Sequence, residues 1–128
     1  MSAERLFLFL GAVMGFFGVG AGAFGAHGLK TRVSVEMLAV FETAVRYQMY
    51  HALALCLMAW VCARWQGKVL TVAGCAFVAG VALFSGSLYL LVLTNTPRLG
   101  LITPFGGVLM LIGWACLAWG ALTAERRR

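Results

Sequence analysis

The sequence predicts an all-α integral membrane protein, with four transmembrane helices in a compact bundle. Of its 128 residues 62% are hydrophobic and 11% are charged, and the mean hydropathy is +0.94. Soluble domains average about 45–50% apolar and about 25% charged residues. The composition therefore excludes a soluble enzyme, a nucleic-acid-binding module and a disordered tail. The length predicts a single domain over residues 1–128, since domains usually have about 100–200 residues.

The first predicted span covers residues 6–24 and contains no charged side chain. Arg5, the apolar run and Ala21-Gly22-Ala23 also imitate a secretory signal peptide with its cleavage site. The run is longer than the apolar core of about 7–15 residues that a signal peptide needs. A retained helix is therefore the better interpretation.

Three further segments reach the length of about 20 apolar residues that crosses about 30 Å of hydrocarbon. They cover about residues 45–63, 69–93 and 105–122. Pro97 and Pro104 bracket the loop before the last segment, where a missing N–H group does no harm. We therefore predict four spans.

Residues 34–46 differ from the four spans. Ser34 can cap a helix start, and Glu36 would lie in its positively polarised first turn. The apolar residues that follow recur at helical spacing. The segment is predicted either as an amphipathic helix in the membrane interface or as an extension of the second span.

The net charge of +6 comes from basic residues scattered between apolar runs, which is typical of loops that meet anionic lipid headgroups and not of a nucleic-acid interface. With four spans, both termini and the loop between the second and third spans share one side. That side carries six Lys and Arg residues, at positions 5, 64, 68, 126, 127 and 128. The other side carries four, at positions 30, 32, 46 and 98. The positive-inside rule then places both termini in the cytoplasm.

The four cysteines lie within apolar segments, at positions 56, 62, 75 and 116. None is spaced from another cysteine or a histidine as zinc ligands are. Small packing residues are therefore the expected role, and we predict no disulfide, metal or other cofactor.

Small residues follow one face of three spans at helical spacing. The residues that we predict to mediate helix packing are Gly11, Gly15, Gly18, Gly22, Gly106, Gly113 and Gly120. Such stripes let helices approach closely in lipid, where packing and polar bonds drive association. They are explained either by packing within the chain or by homodimerisation, and packing within the chain is the simpler explanation when four spans are available.

Polar side chains concentrate near one end of the predicted bundle, in its non-cytoplasmic half. The candidate pocket consists of His27, Glu42, Arg46, Tyr47, Tyr50, His51, Ser85, Ser87 and Tyr89. Because unpaired polar groups are costly in a bilayer, we expect these residues to find partners. His51 is the candidate for proton handling, and a serine or tyrosine of the third span is its expected partner.

Two interpretations of this cluster remain open. Polar residues near helix ends commonly hold helices together or anchor them at the interface. The same residues also fit a pocket for a small solute, a lipid or an ion. The sequence contains neither a nucleophile–base pair nor paired carboxylates, so we predict no catalytic residues and no enzyme.

Several blocks of the sequence resemble one family, the YgdD/YwdK-like small inner-membrane proteins, also called the domain-of-unknown-function 423 family. The resemblance rests on residues 22–29, 41–53, 84–89, 103–107 and 113–114, which read GAFGAHGL, FETAVRYQMYHAL, FSGSLY, TPFGG and GW. It covers about residues 6–122 in the right order.

The resemblance implies a four-span protein of a bacterial inner membrane, and it carries over no catalytic residues. The expected partners are membrane lipids and either another membrane protein or a second copy of this chain. The cytoplasmic halves of the predicted spans contain no ionisable side chain apart from cysteine thiols, and no catalytic constellation is present. We therefore expect an accessory or assembly protein, with a binder or transporter of a small solute, lipid or ion as the alternative.

Overall fold

The structure is a computed structural model that describes residues 1–127, and long helices make up most of it. The four helices are α1 (Ala3–Phe24), α2 (Val35–Arg64), α3 (Lys68–Thr94) and α4 (Thr103–Thr123). A π-helical turn, Gly25–Leu29, extends α1, and a 3₁₀ helix, Pro97–Leu101, precedes α4. The short strands β1 (Trp65–Gln66) and β2 (Glu125–Arg126) pair antiparallel.

Helix α2 is continuous, so residues 34–46 take the second of their two predicted forms and extend the second helix. The Ser34 hydroxyl accepts a hydrogen bond of 3.1 Å from the Met37 N–H and caps the helix as expected. Because α2 begins ten residues before the predicted span, His51 lies near the middle of the helix. The polar residues predicted at the start of the second span therefore lie well inside α2 and not at its first turns.

Three of the four helical segments are long and apolar enough to cross a membrane: Ala3–Leu29, Lys68–Thr94 and Pro97–Thr123. The sequence predicted a fourth span within α2. This helix has the length, with 30 residues, but it carries charged residues in its first half and polar ones near its middle.

The helices pack in chain order, with α1 against α2, α2 against α3 and α3 against α4. Helices α1 and α4 therefore lie on the outside of the bundle, and α2 and α3 lie at its centre. The pairing of Trp65 with Arg126 brings the end of α2 together with the end of α4. We call this end, which also carries the start of α1, the terminal end. The opposite end, with residues 25–34 and 95–102, is the distal end.

Two apolar clusters form the interior. The cluster at the terminal end includes Phe7, Met58 and Phe77, and the cluster at the distal end includes Phe41 and Leu88. All five side chains are buried. Between the two clusters, near the middle of the helices, the interior is polar.

Glycines allow the helices to approach closely. Gly11 of α1 meets α2, since an added Cβ would lie 2.8 Å from the Ala52 carbonyl oxygen. Gly113 of α4 meets α3, where a Cβ would lie 2.6 Å from the Phe77 ring. Gly18, Gly22, Gly106 and Gly120 also face a neighbouring helix of the same chain. Gly15 differs, because a Cβ there would meet nothing within 4 Å.

Candidate functional site: a polar layer between the helices

The polar interior is a layer of hydrogen-bonded side chains that reaches all four helices. We call it the polar layer, and it consists of Gln48, His51, Ser85, Tyr89 and Trp114. Gln48, His51 and Ser85 are buried, and the other two are partly exposed. Helix α2 supplies the layer's centre because Gln48 and His51, three residues apart, lie on neighbouring positions of its buried face.

His51 joins α2 to α4. The Trp114 indole Nε1 donates a hydrogen bond of 3.1 Å to His51 Nε2, and His51 Nδ1 lies 2.8 Å from the Tyr47 carbonyl oxygen. An indole nitrogen can only donate, and a carbonyl oxygen can only accept. These partners therefore require a neutral His51 with its proton on Nδ1. The Phe77 ring packs against both, with centroids 5.4 Å from His51 and 4.9 Å from Trp114.

Gln48 joins three helices. Its Nε2 donates a hydrogen bond of 2.8 Å to the Met14 carbonyl oxygen of α1. Its Oε1 accepts a hydrogen bond of 2.6 Å from the Tyr89 hydroxyl of α3. The Met14 carbonyl already accepts a hydrogen bond within its own helix, so the Gln48 amide donates to its second lone pair. One buried amide thus fixes α1 and α3 against opposite sides of α2.

Two serines of α3 complete the contacts. The Ser85 hydroxyl, 1% exposed, donates a hydrogen bond of 2.7 Å to the Ala44 carbonyl oxygen of α2. Closer to the distal end, the Ser87 hydroxyl donates to the Phe84 carbonyl oxygen, and it lies 2.7 Å from the Thr103 hydroxyl of α4. The serines therefore tie α3 to both of its neighbours.

The polar layer is internally satisfied over residues 1–127. No buried side-chain nitrogen or oxygen in this part of the chain lacks a hydrogen-bond partner. The same residues contain no group of three His, Cys, Asp or Glu side chains arranged to hold a metal ion. The donors and acceptors of the layer are thus directed at other helices of the same chain.

A groove of about 840 Å³ opens from the polar layer toward the distal end, and we call it the α1–α3 groove. Its wall on α1 runs from Gly15 to Phe24, and Leu93 lies on the α3 side. Gln48 and Tyr89 line its deep part, next to the ring of Phe41. Two members of the polar layer thus line this groove.

Comparison with known proteins identifies relatives along most of the chain. The sequence profile of the family described as "Protein of unknown function (DUF423)" matches residues 21–107. The chain belongs to the DUF423 family. The match includes the α2 and α3 residues of the polar layer and ends before Trp114.

Relatives of this DUF423 protein are bacterial membrane proteins by name. A UPF0382 membrane protein of Staphylococcus aureus is 50% identical over 113 residues, which cover 88% of this chain and 92% of the relative. The UPF0382 membrane protein YwdK of Bacillus subtilis is 44% identical over 119 residues, covering 92% and 97%. One from Staphylococcus saprophyticus is 44% identical over 116 residues, covering 91% and 96%. No solved structure matches the chain. The DUF423 protein is thus a membrane protein.

The nine residues of the predicted pocket lie in two different places in this DUF423 protein. His51, Ser85, Ser87 and Tyr89 lie inside and bond to other helices. His27, Glu42, Arg46, Tyr47 and Tyr50 lie on the surface of the chain. The predicted partner of His51 is wrong: His51 bonds to Trp114 of the fourth helix, because the imidazole lies between α2 and α4.

Sequence reasoning missed three members of these contacts: Gln48, Trp114 and Thr103. The available signal was Gln48 itself, because an uncharged amide inside an apolar segment must find a buried partner. Trp114 gave no comparable signal, since tryptophans in spans commonly face lipid near the interface. Its role depends on a contact 63 positions away in the chain.

Proposed function

We propose that this DUF423 protein is a four-span, non-enzymatic accessory protein of the bacterial inner membrane, with both termini in the cytoplasm, which packs laterally against another membrane protein. One observation carries the proposal: the buried polar side chains are used to join the four helices to one another. Polar groups that form hydrogen bonds between the helices stabilise one arrangement of the bundle. The outer helices, α1 and α4, are left with apolar surfaces for contacts within the membrane.

The geometry of α2 supports the fourth span. Thirty residues of helix extend about 45 Å, enough to cross a bilayer whose apolar core is about 30 Å thick. Helix α2 runs the full length of the bundle, from Ser34 at the distal end to Trp65 at the terminal end. Its two buried polar residues, Gln48 and His51, bond to α1, α3 and α4, where other helices shield them from lipid. The excess of Lys and Arg at the terminal end supports its cytoplasmic location.

The number of spans is testable by labelling single cysteines in a variant whose native cysteines are replaced by alanine. We expect a membrane-impermeant maleimide to label Thr31→Cys and Asn95→Cys in spheroplasts, and to label Gln66→Cys only after the membrane is permeabilised. If α2 did not cross the membrane, positions 31 and 66 would be labelled alike and position 95 would lie on the other side. That result would overturn the four-span proposal.

The accessory role is testable by site-specific photocrosslinking in cells. Benzoylphenylalanine would replace Leu111 on the outer face of α4, which is 70% exposed, or Phe17 on α1, which is 62% exposed. We expect a discrete adduct with one other membrane protein from at least one outer position. Met110, only 4% exposed and packed on α3, is the matched control on α4 and is expected to give none. Adducts with lipids alone would contradict the proposal, and adducts with a second copy would replace it with a homo-oligomer.

The second candidate function is the binding or transport of a small solute, a lipid or an ion. The α1–α3 groove favours this candidate, and among those three ligands it favours a lipid, because its lining is mainly apolar. Transport would need a polar route through the terminal half of the bundle. That half is filled by the apolar cluster around Phe7, Met58 and Phe77.

A further inference from the structure

The α1–α3 groove continues to the surface at the distal end. A second concavity of about 600 Å³ adjoins it, and Phe24 and Leu93 line both. Arg32, Ser34 and Asn95 line the outer part, which we call the mouth. Groove and mouth together form one path from the middle of the bundle to its distal surface.

The groove exists because α1 and α3 have few contacts with each other, one of which lies near the terminal end. There the Phe7 ring occupies the space that Gly74 leaves free on α3. Toward the distal end α2 lies between them and forms the floor, through Phe41 and Gln48. Two glycines of α1 widen the groove further, since a Cβ at Gly15 or Gly20 would meet nothing within 4 Å.

The length of the groove matches one leaflet of a membrane. From Gly15 to Phe24 the α1 helix rises nine residues, or about 14 Å. Half of an apolar core of about 30 Å is about 15 Å. A helix of a partner protein would instead need an apolar face along the whole span. An acyl chain that enters from one leaflet needs only this half.

The chemistry of the lining changes along the path. The deep part is mainly apolar, and its two polar side chains are already bonded, since Gln48 binds the Met14 carbonyl and Tyr89 binds Gln48. A polar solute placed there would lose water without gaining equivalent bonds. The mouth offers one cation, Arg32, and two uncharged polar side chains, while no carboxylate side chain lines either part. Such a site fits an apolar chain that carries an anionic head.

We propose that the groove binds one anionic phospholipid, with an acyl chain along α1 between Phe24 and Gly15 and with its phosphate beside Arg32. The proposal rests on the proposed topology, in which the distal end faces the non-cytoplasmic leaflet. It deepens the second candidate function by naming its ligand. A guanidinium pairs with phosphate through parallel N–H donors. A head that carries no cation of its own leaves the phosphate charge to Arg32, so Arg32 selects an anionic head while the groove holds the acyl chain.

Native mass spectrometry of the full chain in mild detergent tests the proposal. The probes are phosphatidylglycerol and phosphatidylcholine with identical palmitoyl and oleoyl chains, added in equal amounts. We expect one retained phospholipid per chain and a preference of about fivefold for phosphatidylglycerol. This corresponds to the contribution of about 1 kcal/mol that one basic side chain makes near an anionic lipid surface.

Two variants test the acyl-chain site and the headgroup site separately. Gly15→Leu with Gly20→Leu fills the groove, and we expect it to lower retention of both lipids at least tenfold. Its matched control is Gly86→Leu with Gly107→Leu, because a Cβ at these glycines meets nothing or makes only an ordinary contact of 3.9 Å, and neither lines the groove. We expect Arg32→Gln to remove the preference for phosphatidylglycerol while one phospholipid is still retained. Arg98→Gln, on the other distal loop, is the control and should change neither the preference nor the retention.

The outcomes distinguish this proposal from the proposed function. Equal lipid retention by the filled variant and its control would overturn the groove as the site. Equal binding of the two lipids by the unaltered chain would overturn the role of Arg32. A dimer that only the filled variant fails to form would assign the groove to a second copy instead. The cysteine labelling and the photocrosslinking report on topology and partner separately, so a failure of the lipid site is distinguishable from a failure of the topology or of the accessory role.

Discussion

Helix α4 is held against α3 mainly by glycines, whereas α2 is held against α3 by side-chain hydrogen bonds. At the first contact, a Cβ on Gly80 would lie 3.0 Å from the Gly106 carbonyl oxygen, so the two backbones nearly touch. At the second, Ser85 and Tyr89 of α3 bond to the Ala44 carbonyl and to Gln48. In lipid both kinds of contact are needed, because burial of apolar surface gives little net driving force there.

The two contacts fix the relative positions of their helices in different ways. A glycine contact depends on shape alone, so an added atom pushes the two backbones apart where they meet. A hydrogen bond depends on direction and fixes the rotation of α2, but its removal leaves the surrounding packing in place. We therefore expect substitutions at the glycine contact to cost more free energy of unfolding than deletions in the polar layer.

The largest effect is expected for Gly106→Ala. The new Cβ would lie 2.7 Å from the Gly80 carbonyl oxygen and 2.8 Å from Phe84 Cα, and both are backbone atoms that cannot turn aside. We expect a loss of about 3 kcal/mol or more in the free energy of unfolding. Titration with sodium dodecyl sulfate in mixed micelles, followed by circular dichroism, measures it.

Gly107→Ala is the matched control for this prediction. Its Cβ would meet only the Phe84 ring, at 3.9 Å, so we expect no loss and a small gain from helix propensity. If both alanine variants were equally stable, the α3–α4 contact would not depend on close backbone approach, and the comparison with the polar layer would fail.

The second effect is expected for Gln48→Leu. The substitution removes the bonds to Met14 and Tyr89 and leaves the Tyr89 hydroxyl without its acceptor. Interhelical hydrogen bonds in membranes contribute about 0.6 kcal/mol on average and at most about 1.7 kcal/mol. We expect a loss of about 1–2 kcal/mol in the same titration. Tyr89→Phe removes one of the two bonds, so its loss should be smaller.

A double variant checks that Gln48 and Tyr89 act together. Gln48→Leu with Tyr89→Phe leaves no unpaired hydroxyl, so we expect it to lose less stability than the sum of the two single variants. Strict additivity would mean that the bond of 2.6 Å contributes nothing measurable to the fold.

The positions of the helices in this sequence are largely predictable, whereas the side-chain contacts between them are not. Apolar runs located α1, α3 and α4 to within a few residues, because a span must be apolar along its length. The glycine stripes indicated which faces are close-packed. The sequence could not show that His51 bonds to Trp114, since neighbours in a bundle are selected by the packing of all four helices. Ser34 and the helical spacing after it located the beginning of α2, but hydropathy left open whether this segment lies in the interface or continues the second span, because it marks the apolar part of a helix and not its ends.

The third effect is expected for Trp114→Phe. This change removes the indole N–H that donates to His51 and keeps an aromatic ring beside Phe77. One lost bond predicts a decrease of about 0.6–1 kcal/mol in the free energy of unfolding. Trp119→Phe on the same helix is the control, because Trp119 is 62% exposed and its change should lie within about 0.3 kcal/mol. Equal losses from the two variants would show that ring size, and not the bond to His51, determines the effect.

The smallest effect is expected for Tyr47→Phe, and it locates the boundary of the polar layer. Tyr47 contributes through its backbone carbonyl, which accepts from His51, and through its ring, whose centroid is 4.7 Å from that of Phe84. Phenylalanine keeps both contacts, while the side chain of Tyr47 is 38% exposed. We therefore expect a change within about 0.5 kcal/mol in the titration used above. A loss above about 1 kcal/mol would mean that the hydroxyl belongs to the polar layer, and the distinction between interior and surface residues of α2 would have to be redrawn.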